Sequence, residues 1–314
     1  MEDILSVLSN EEITALSLCS LYQNNGYSKY RMSKFEEYDL YVKNKDFLVS
    51  SNVITFTDTD GKLMALKPDV TLSIIKNSKD QPNDTMKVYY NENVYRVSKG
   101  TKSFKEIRQA GLECLGAVTD AEIIEVLSLA SKSLQAISSS FALEISHLGI
   151  VKGVLEFYGL SEIACNQIIK FLGEKNVQGV VDVAKSENLD DKAISLIEKL
   201  VTIYGEPEKV LTEIEPLRLN QKISDAIDQL SSVIKGLGNN KNVNVDFSVV
   251  NDMKYYNGFA FKGFIEGIPT GILSGGQYDR LMKKMGKNSQ AIGFAVYLDE
   301  LGKKSVNLGG KKND

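Results

Sequence analysis

The stretch that most constrains this chain is residues 86–117, MKVYYNENVYRVSKGTKSFKEIRQAGLECLGA, which reads as two strands joined by a charged loop. Its first half, about Met86–Val97, is rich in Val and Tyr, residues that suit a pleated surface. Gly100 breaks a run of small and basic residues between the halves, as a loop does. A period of two then places Ile107, Gln109, Gly111, Glu113 and Leu115 on one face of the second strand. Arg108, Ala110, Leu112 and Cys114 fall on the other. A glutamine and a carboxylate thus share a face across a glycine, with Arg96 arriving from the neighbouring strand, and the three outline a small polar pocket. The plainer reading is an amphipathic hairpin with its polar face in water, which is ordinary for antiparallel pairs.

Composition excludes several classes of function. With 314 residues, 43% hydrophobic and 25% charged, the chain fits one large globular domain or two smaller ones. The net charge is -4 and no Lys/Arg block is long enough for a nucleic-acid footprint, so tRNA and DNA are not the expected partners. No apolar run spans a bilayer, and MEDILSVLSNEE lacks a signal peptide's basic-then-apolar order, so the expected location is the cytoplasm. Cys19, Cys114 and Cys165 are widely spaced without C-x-x-C, which reads as isolated thiols rather than a disulfide or metal set. His147 is the only histidine, which disfavours a Ser-His-Asp triad or a histidine-based metal site. Neither a Walker A sequence nor G-x-G-x-x-G occurs, and no metal or cofactor is expected.

Along the chain, Ser9 and Glu12 have capping-box spacing ahead of a helix that runs to about Tyr22. Asn52–Leu66 reads as a hairpin turning at Asp60-Gly61. Pro68 ends that strand and Asp69 is placed to cap a helix over Val70–Lys76. Thr119 and Glu122 form a second capping box, and Ile123, Val126, Leu127, Ala130, Leu134 and Ile137 recur at helical spacing. Residues 141–150 return to strand character, with His147 reading as a satisfied side chain beside a sheet. From about 150 to 238 the composition is nearly all helix-forming, which predicts a helical insertion within a sheet domain. The sheet resumes near 242–250, a glycine-rich Leu273–Asp279 invites close backbone approach, and Ala291–Leu301 runs a small-residue strand into a helix. The core is expected over 1–305, with a frayed tail at 306–314.

The order Tyr95-Arg96, basic loop, Phe104, Glu106, Gln109-Ala110-Gly111-Leu112-Glu113, then Asp120-Ala121-Glu122 resembles motif 2 of class II histidyl-tRNA synthetases. LKPDVT at 66–71, YYNG at 255–258, LSGGQYD at 273–279 and AIGFAVYLDEL at 291–301 resemble further landmarks of that family in the same order. The resemblance implies an α+β fold, an antiparallel sheet flanked by helices. It also implies an amino-acid pocket of Asp69, Thr71, Gln109, Glu113, Tyr255 and Tyr256, with Arg96 as a residual ligand contact. A carboxylate beside a glutamine suits an imidazole, which offers one donor and one acceptor when neutral. The chain departs from the synthetases in four places. Met32 and Ser33 replace a Thr-Pro, although Glu36 keeps its glutamate. Asn251 and Lys254 stand at an arginine and an aspartate position. Glu300 replaces the arginine that clamps ATP phosphates, where a carboxylate repels what a guanidinium would bind. Finally, no anticodon-binding domain is expected after Leu301.

With its amino-acid half retained and its ATP clamp reversed, the pattern resembles the regulatory subunits of ATP phosphoribosyltransferase, a synthetase-like family. That resemblance implies a non-catalytic subunit required for the first step of histidine biosynthesis. Its expected partners are a short-form catalytic subunit, histidine as feedback effector, and a second copy of itself. An amino-acid-activating ligase with its own adenylation activity is the alternative, and a scaffold with a decayed pocket the third reading.

Overall fold

A computed structural model describes residues 7–48, 53–98, 100–250 and 255–301. In chain order its strands are β1 (Ser28–Lys29), β2 (Phe35–Glu37), β3 (Thr55–Thr57), β4 (Leu63–Leu66), β5 (Thr85–Val97), β6 (Phe104–Gly116), β7 (Phe141–His147), β8 (Tyr204–Gly205), β9 (Val243–Asp246), β10 (Phe259–Ile265), β11 (Ile268–Gln277) and β12 (Gln290–Tyr297). Nine form one sheet in the order β1-β5-β6-β12-β11-β10-β7-β9-β8, and β2-β4-β3 form a small second sheet. Pairing is antiparallel from β5 across to β7. It is parallel between β1 and β5 and between β7 and β9, so the sheet expected to be antiparallel is mixed at both ends.

The hairpin β5–β6 supplies the two longest strands and pairs without a bulge from Thr85 opposite Gly116 to Val97 opposite Phe104. Its alternation divides the molecule into two cores, as a period of two requires. Ala110, Leu112 and Cys114 join Leu18 and Tyr22 of helix Asn10–Asn24 and Val126 and Leu127 of helix Asp120–Ile137. Val88, Tyr90 and Leu115 face the other way, onto Ile74 and Ile75 of helix Val70–Asn77 and Leu281 and Met282 of helix Asp279–Lys284. Both capping boxes form: Ser9 Oγ accepts from Glu12 N at 3.2 Å, and Glu122 Oε2 accepts from Thr119 N at 2.9 Å. At the β3–β4 turn Gly61 takes φ 81°, while Asp58 Oδ1 accepts from Asp60 N and Lys62 N at 3.0 and 2.8 Å.

The strand expected over 141–150 ends at His147, and helix Leu148–Phe157 begins at once. Leu148 N donates to Gly258 O at 2.8 Å, and Gly153 lets Ile223 of helix Gln221–Leu237 pack against the new helix. Helices Glu162–Gly173, Val177–Ser186, Asp191–Thr202 and Pro207–Glu213 lie between, together with β8. His147 does have a partner, 82 residues on: its Nε2 lies 3.0 Å from Gln229 Oε1, and the Gln229 amide donates to Asp120 Oδ1 at 2.9 Å. Its Nδ1 is buried with no hydrogen bond among the described residues. Asn251, Lys254 and the tail at 306–314 lie outside the described residues.

Candidate functional site

On the face of β6 that carries the odd-numbered residues, the structure opens a cavity of about 1290 Å³. Asp69, Thr71, Arg96, Gln109, Glu113, Tyr255 and Tyr256 all line it. Four separate elements deliver them. Asp69 and Thr71 sit at the start of helix Val70–Asn77, where Asp69 Oδ1 caps Leu72 N at 2.9 Å. β5 brings Arg96, β6 brings Gln109 and Glu113 two rungs of one face apart, and Tyr255 and Tyr256 precede β10.

Glu113 is the centre of the arrangement. It is 2% exposed and accepts two hydroxyl hydrogen bonds, from Thr71 Oγ1 at 2.7 Å and from Tyr278 Oη at 2.5 Å. Gly293, its partner across β12, makes room for it, because a Cβ there would overlap Glu113 Oε2 and crowd Leu112 O. Burial pushes the Glu113 carboxyl up to about 8, the Thr71 and Tyr278 hydrogen bonds pull it back, and the nearby Asp69 charge adds to the rise. Burial likewise raises Asp69, against the Leu72 amide and the Arg96 charge. Two carboxyls therefore share one desolvated space, and the Arg96 charge acts on Asp69. A ligand bringing an ammonium or an imidazole N–H would pair with carboxyls that burial alone disfavours as ions.

The wall beside these groups is aromatic. Tyr255 packs edge-on against Tyr256 at 4.9 Å between centroids and tilts against Tyr278 at 5.7 Å. Tyr90 lies across Gly111, its hydroxyl aimed at Phe294 O 3.5 Å away. Gly276 lets the Tyr256 ring approach the β11 backbone, the close approach expected of the glycine-rich stretch. Gln109 is 4% exposed, and no hydrogen bond occupies its amide among the described residues, leaving a donor and an acceptor for a ligand.

Arg96 lines the cavity, and its Nε also donates to Pro68 O at 3.1 Å, bracing the chain just before Asp69. Glu36 is not among the described lining; it joins β2 to helix Val70–Asn77 through Ser73 Oγ at 3.1 Å and Lys76 Nζ at 2.7 Å. Glu300 is not in that lining either; it accepts from Thr270 Oγ1 at 3.2 Å. Sequence reasoning missed Tyr90, Tyr278 and Gly293 as pocket residues. Tyr278 was visible inside GGQYD, but nothing local shows a tyrosine reaching a carboxylate 165 residues away.

Comparison with known proteins adds family to geometry. The family model described as histidyl-tRNA synthetase matches residues 6–301. An ATP phosphoribosyltransferase regulatory subunit of Alkaliphilus metalliredigens is 28% identical over 295 residues, covering 91% of this chain and 74% of that protein. A crystal structure described as an ATP phosphoribosyltransferase regulatory subunit/histidyl-tRNA synthetase from Bacillus halodurans superposes with a TM-score of 0.82 at 27% identity, over 95% of this chain and 80% of the other. The ATP phosphoribosyl transferase (HisG:HisZ) complex from Thermotoga maritima contains a chain of the same fold, with a TM-score of 0.72 at 18% identity over 92% of this chain and 97% of that one. Among the described residues no helix is long and apolar enough to cross a membrane.

Proposed function

Because the chain belongs to the histidyl-tRNA synthetase family, we propose that it serves as the regulatory subunit of an ATP phosphoribosyltransferase, acting in the first step of histidine biosynthesis. It binds a short-form catalytic subunit in the cytoplasm, self-associates, carries no turnover of its own, and passes on feedback inhibition by histidine. The observation that carries this reading is the amino-acid pocket, in which Asp69, Thr71, Gln109 and Glu113 converge on one desolvated space. The regulatory-subunit name carried by the Alkaliphilus relative, at 28% identity over most of both chains, supports it. In the pocket, the histidine ammonium meets Asp69, the imidazole meets Glu113 and Gln109, and the tyrosine rings exclude water.

The test mixes the purified chain with a short-form catalytic subunit and measures phosphoribosyl transfer with and without histidine. Activation by the chain and its reversal by histidine are expected; no association and no activation overturn the reading. One observation favours adenylation as a second reading, namely that Arg96 still lines the cavity. Histidine-dependent ATP–pyrophosphate exchange by the chain alone would establish it.

A further inference from the structure

Lys67 is 0% exposed, the one lysine among the buried residues of the described chain. Its ammonium pairs with Glu92 Oε2 at 2.9 Å, and the Glu92 side chain is 20% exposed. Replacing such a pair by apolar side chains of similar volume is often neutral or stabilising, so stability by itself does not explain its presence. Its place in the fold gives another reason. Lys67 lies between the end of β4 and the Pro68–Asp69 corner that starts helix Val70–Asn77. Glu92 lies on β5 directly opposite Gln109 of β6. Two further contacts join the same stretches: Tyr95 N donates to Lys67 O at 2.8 Å, and Arg96 Nε donates to Pro68 O at 3.1 Å. Three successive attachments from β5 thus hold the segment that carries Asp69 and Thr71. The ion pair, the only one made by a side-chain charge on each partner, ties it to the rung that bears Gln109.

We infer that Lys67 and Glu92 are a positioning pair, which sets the Asp69–Thr71 corner against Gln109 and Glu113 so that both halves of the amino-acid pocket meet one ligand. The inference rests on the amino-acid reading of the pocket given above. Lys67 touches no ligand in this arrangement; it acts through the corner that follows it. The pair spans the join between the segment leading out of the small sheet β2-β4-β3 and the large sheet, where a shift would separate Thr71 Oγ1 from Glu113.

The experiment uses the full chain with K67M, E92Q, K67M/E92M and K67R substitutions. L-histidine affinity is measured by calorimetry, thermal stability is followed by circular dichroism, and the titration of the Glu113 carboxyl in the unliganded protein by ¹³C NMR. The double variant K67M/E92M is expected to fold with a melting temperature close to that of the unaltered chain. It should nevertheless bind histidine at least tenfold more weakly and titrate Glu113 at higher pH, because the Thr71 donor that favours the ionised form has moved. K67R, which restores a cation opposite Glu92, should recover most of the affinity. A folded double variant with unchanged histidine affinity and unchanged Glu113 titration overturns the positioning role. If the unaltered chain binds no histidine while K67M/E92M still shifts the Glu113 titration, the ligand reading fails and the positioning role stands.

Discussion

At the scale of the residue, the site rests on one buried carboxyl. Glu113→Gln is nearly isosteric and should preserve the fold, yet it removes the carboxylate that a ligand N–H would pair with once binding has displaced the carboxyl proton. Histidine affinity should fall by about 1.5–3 kcal/mol; calorimetry returning an unchanged dissociation constant would show that Glu113 does not touch the ligand. The raised carboxyl has a second consequence. Its ordinary value is 4.5 and burial moves it to about 8, so across that window the native state keeps a proton that the unfolded chain has released. Stability associated with this proton is present below about 4.5 and lost as pH rises through about 8, with a slope of at most about 1.4 kcal/mol per pH unit. Urea midpoints of the unaltered chain should therefore decline from pH 5 to 8 more steeply than those of Glu113→Gln, and parallel curves would refute the burial argument. Much of this pocket was legible in sequence because alternation places Gln109 and Glu113 on one face and capping chemistry places Asp69 at a helix start. Tyr278 and Gly293 were not, since their proximity to Glu113 comes from the pairing of β6 with β12 and from the turn after β11, which no local pattern encodes.

Strands and helices follow the same division. The hairpin β5–β6, the β3–β4 turn and both capping boxes were readable because period, Asp-Gly and Ser/Thr-x-x-Glu are short-range signals. Thr119→Ala removes one box and should cost about 1 kcal/mol, visible as a small fall in the urea midpoint with little change in ligand affinity. Gly293→Ala belongs to a different class. Its Cβ would press on Glu113 Oε2 and on the Leu112 carbonyl, a backbone atom that cannot turn aside. Overpacking of this kind should cost about 1–3 kcal/mol and displace Glu113, so histidine binding should be lost together with stability. A folded Gly293→Ala that binds normally would mean that β12 can move away from β6. Less legible was the end of β7: the alternation of 141–147 continues plausibly into Leu148, but the backbone leaves the sheet there once Leu148 N bonds Gly258 O. Helices Val177–Ser186 and Pro207–Glu213 carry only short start signals, an Asn176 cap on Gly179 N and a proline in the first turn, within a stretch whose helix-forming composition does not mark where one helix ends and the next begins.

Across the whole molecule, one apolar cluster joins Ile145, Phe259 and Phe294 of the large sheet with Ile168, Ile197, Ile223 and Ile227 of the helices that follow β7. A helical layer built into the same core should unfold with it. The chain has 14 tyrosines and no tryptophan, and Tyr89, Tyr90 and Tyr278 report on the sheet and pocket. Tyrosine emission and far-ultraviolet circular dichroism should accordingly share one urea transition. Ile227→Ala, which opens a cavity in the helical layer, should move both probes together by about 2–5 kcal/mol; a helical signal that melts separately would make 148–237 an independent unit. The sheet also ends in an unusual manner at both margins. β1 and β8 are two residues long, and the outer side of β5 is covered in pieces, by Tyr30 N on Tyr89 O and by Lys67 O on Tyr95 N. Among the described residues, an intruding strand finds no continuous row of free amides and carbonyls to zip against at either margin. Recruitment of other chains is thereby steered toward side-chain surfaces, where specificity is written residue by residue, and away from backbone templating, which accepts almost any extended peptide.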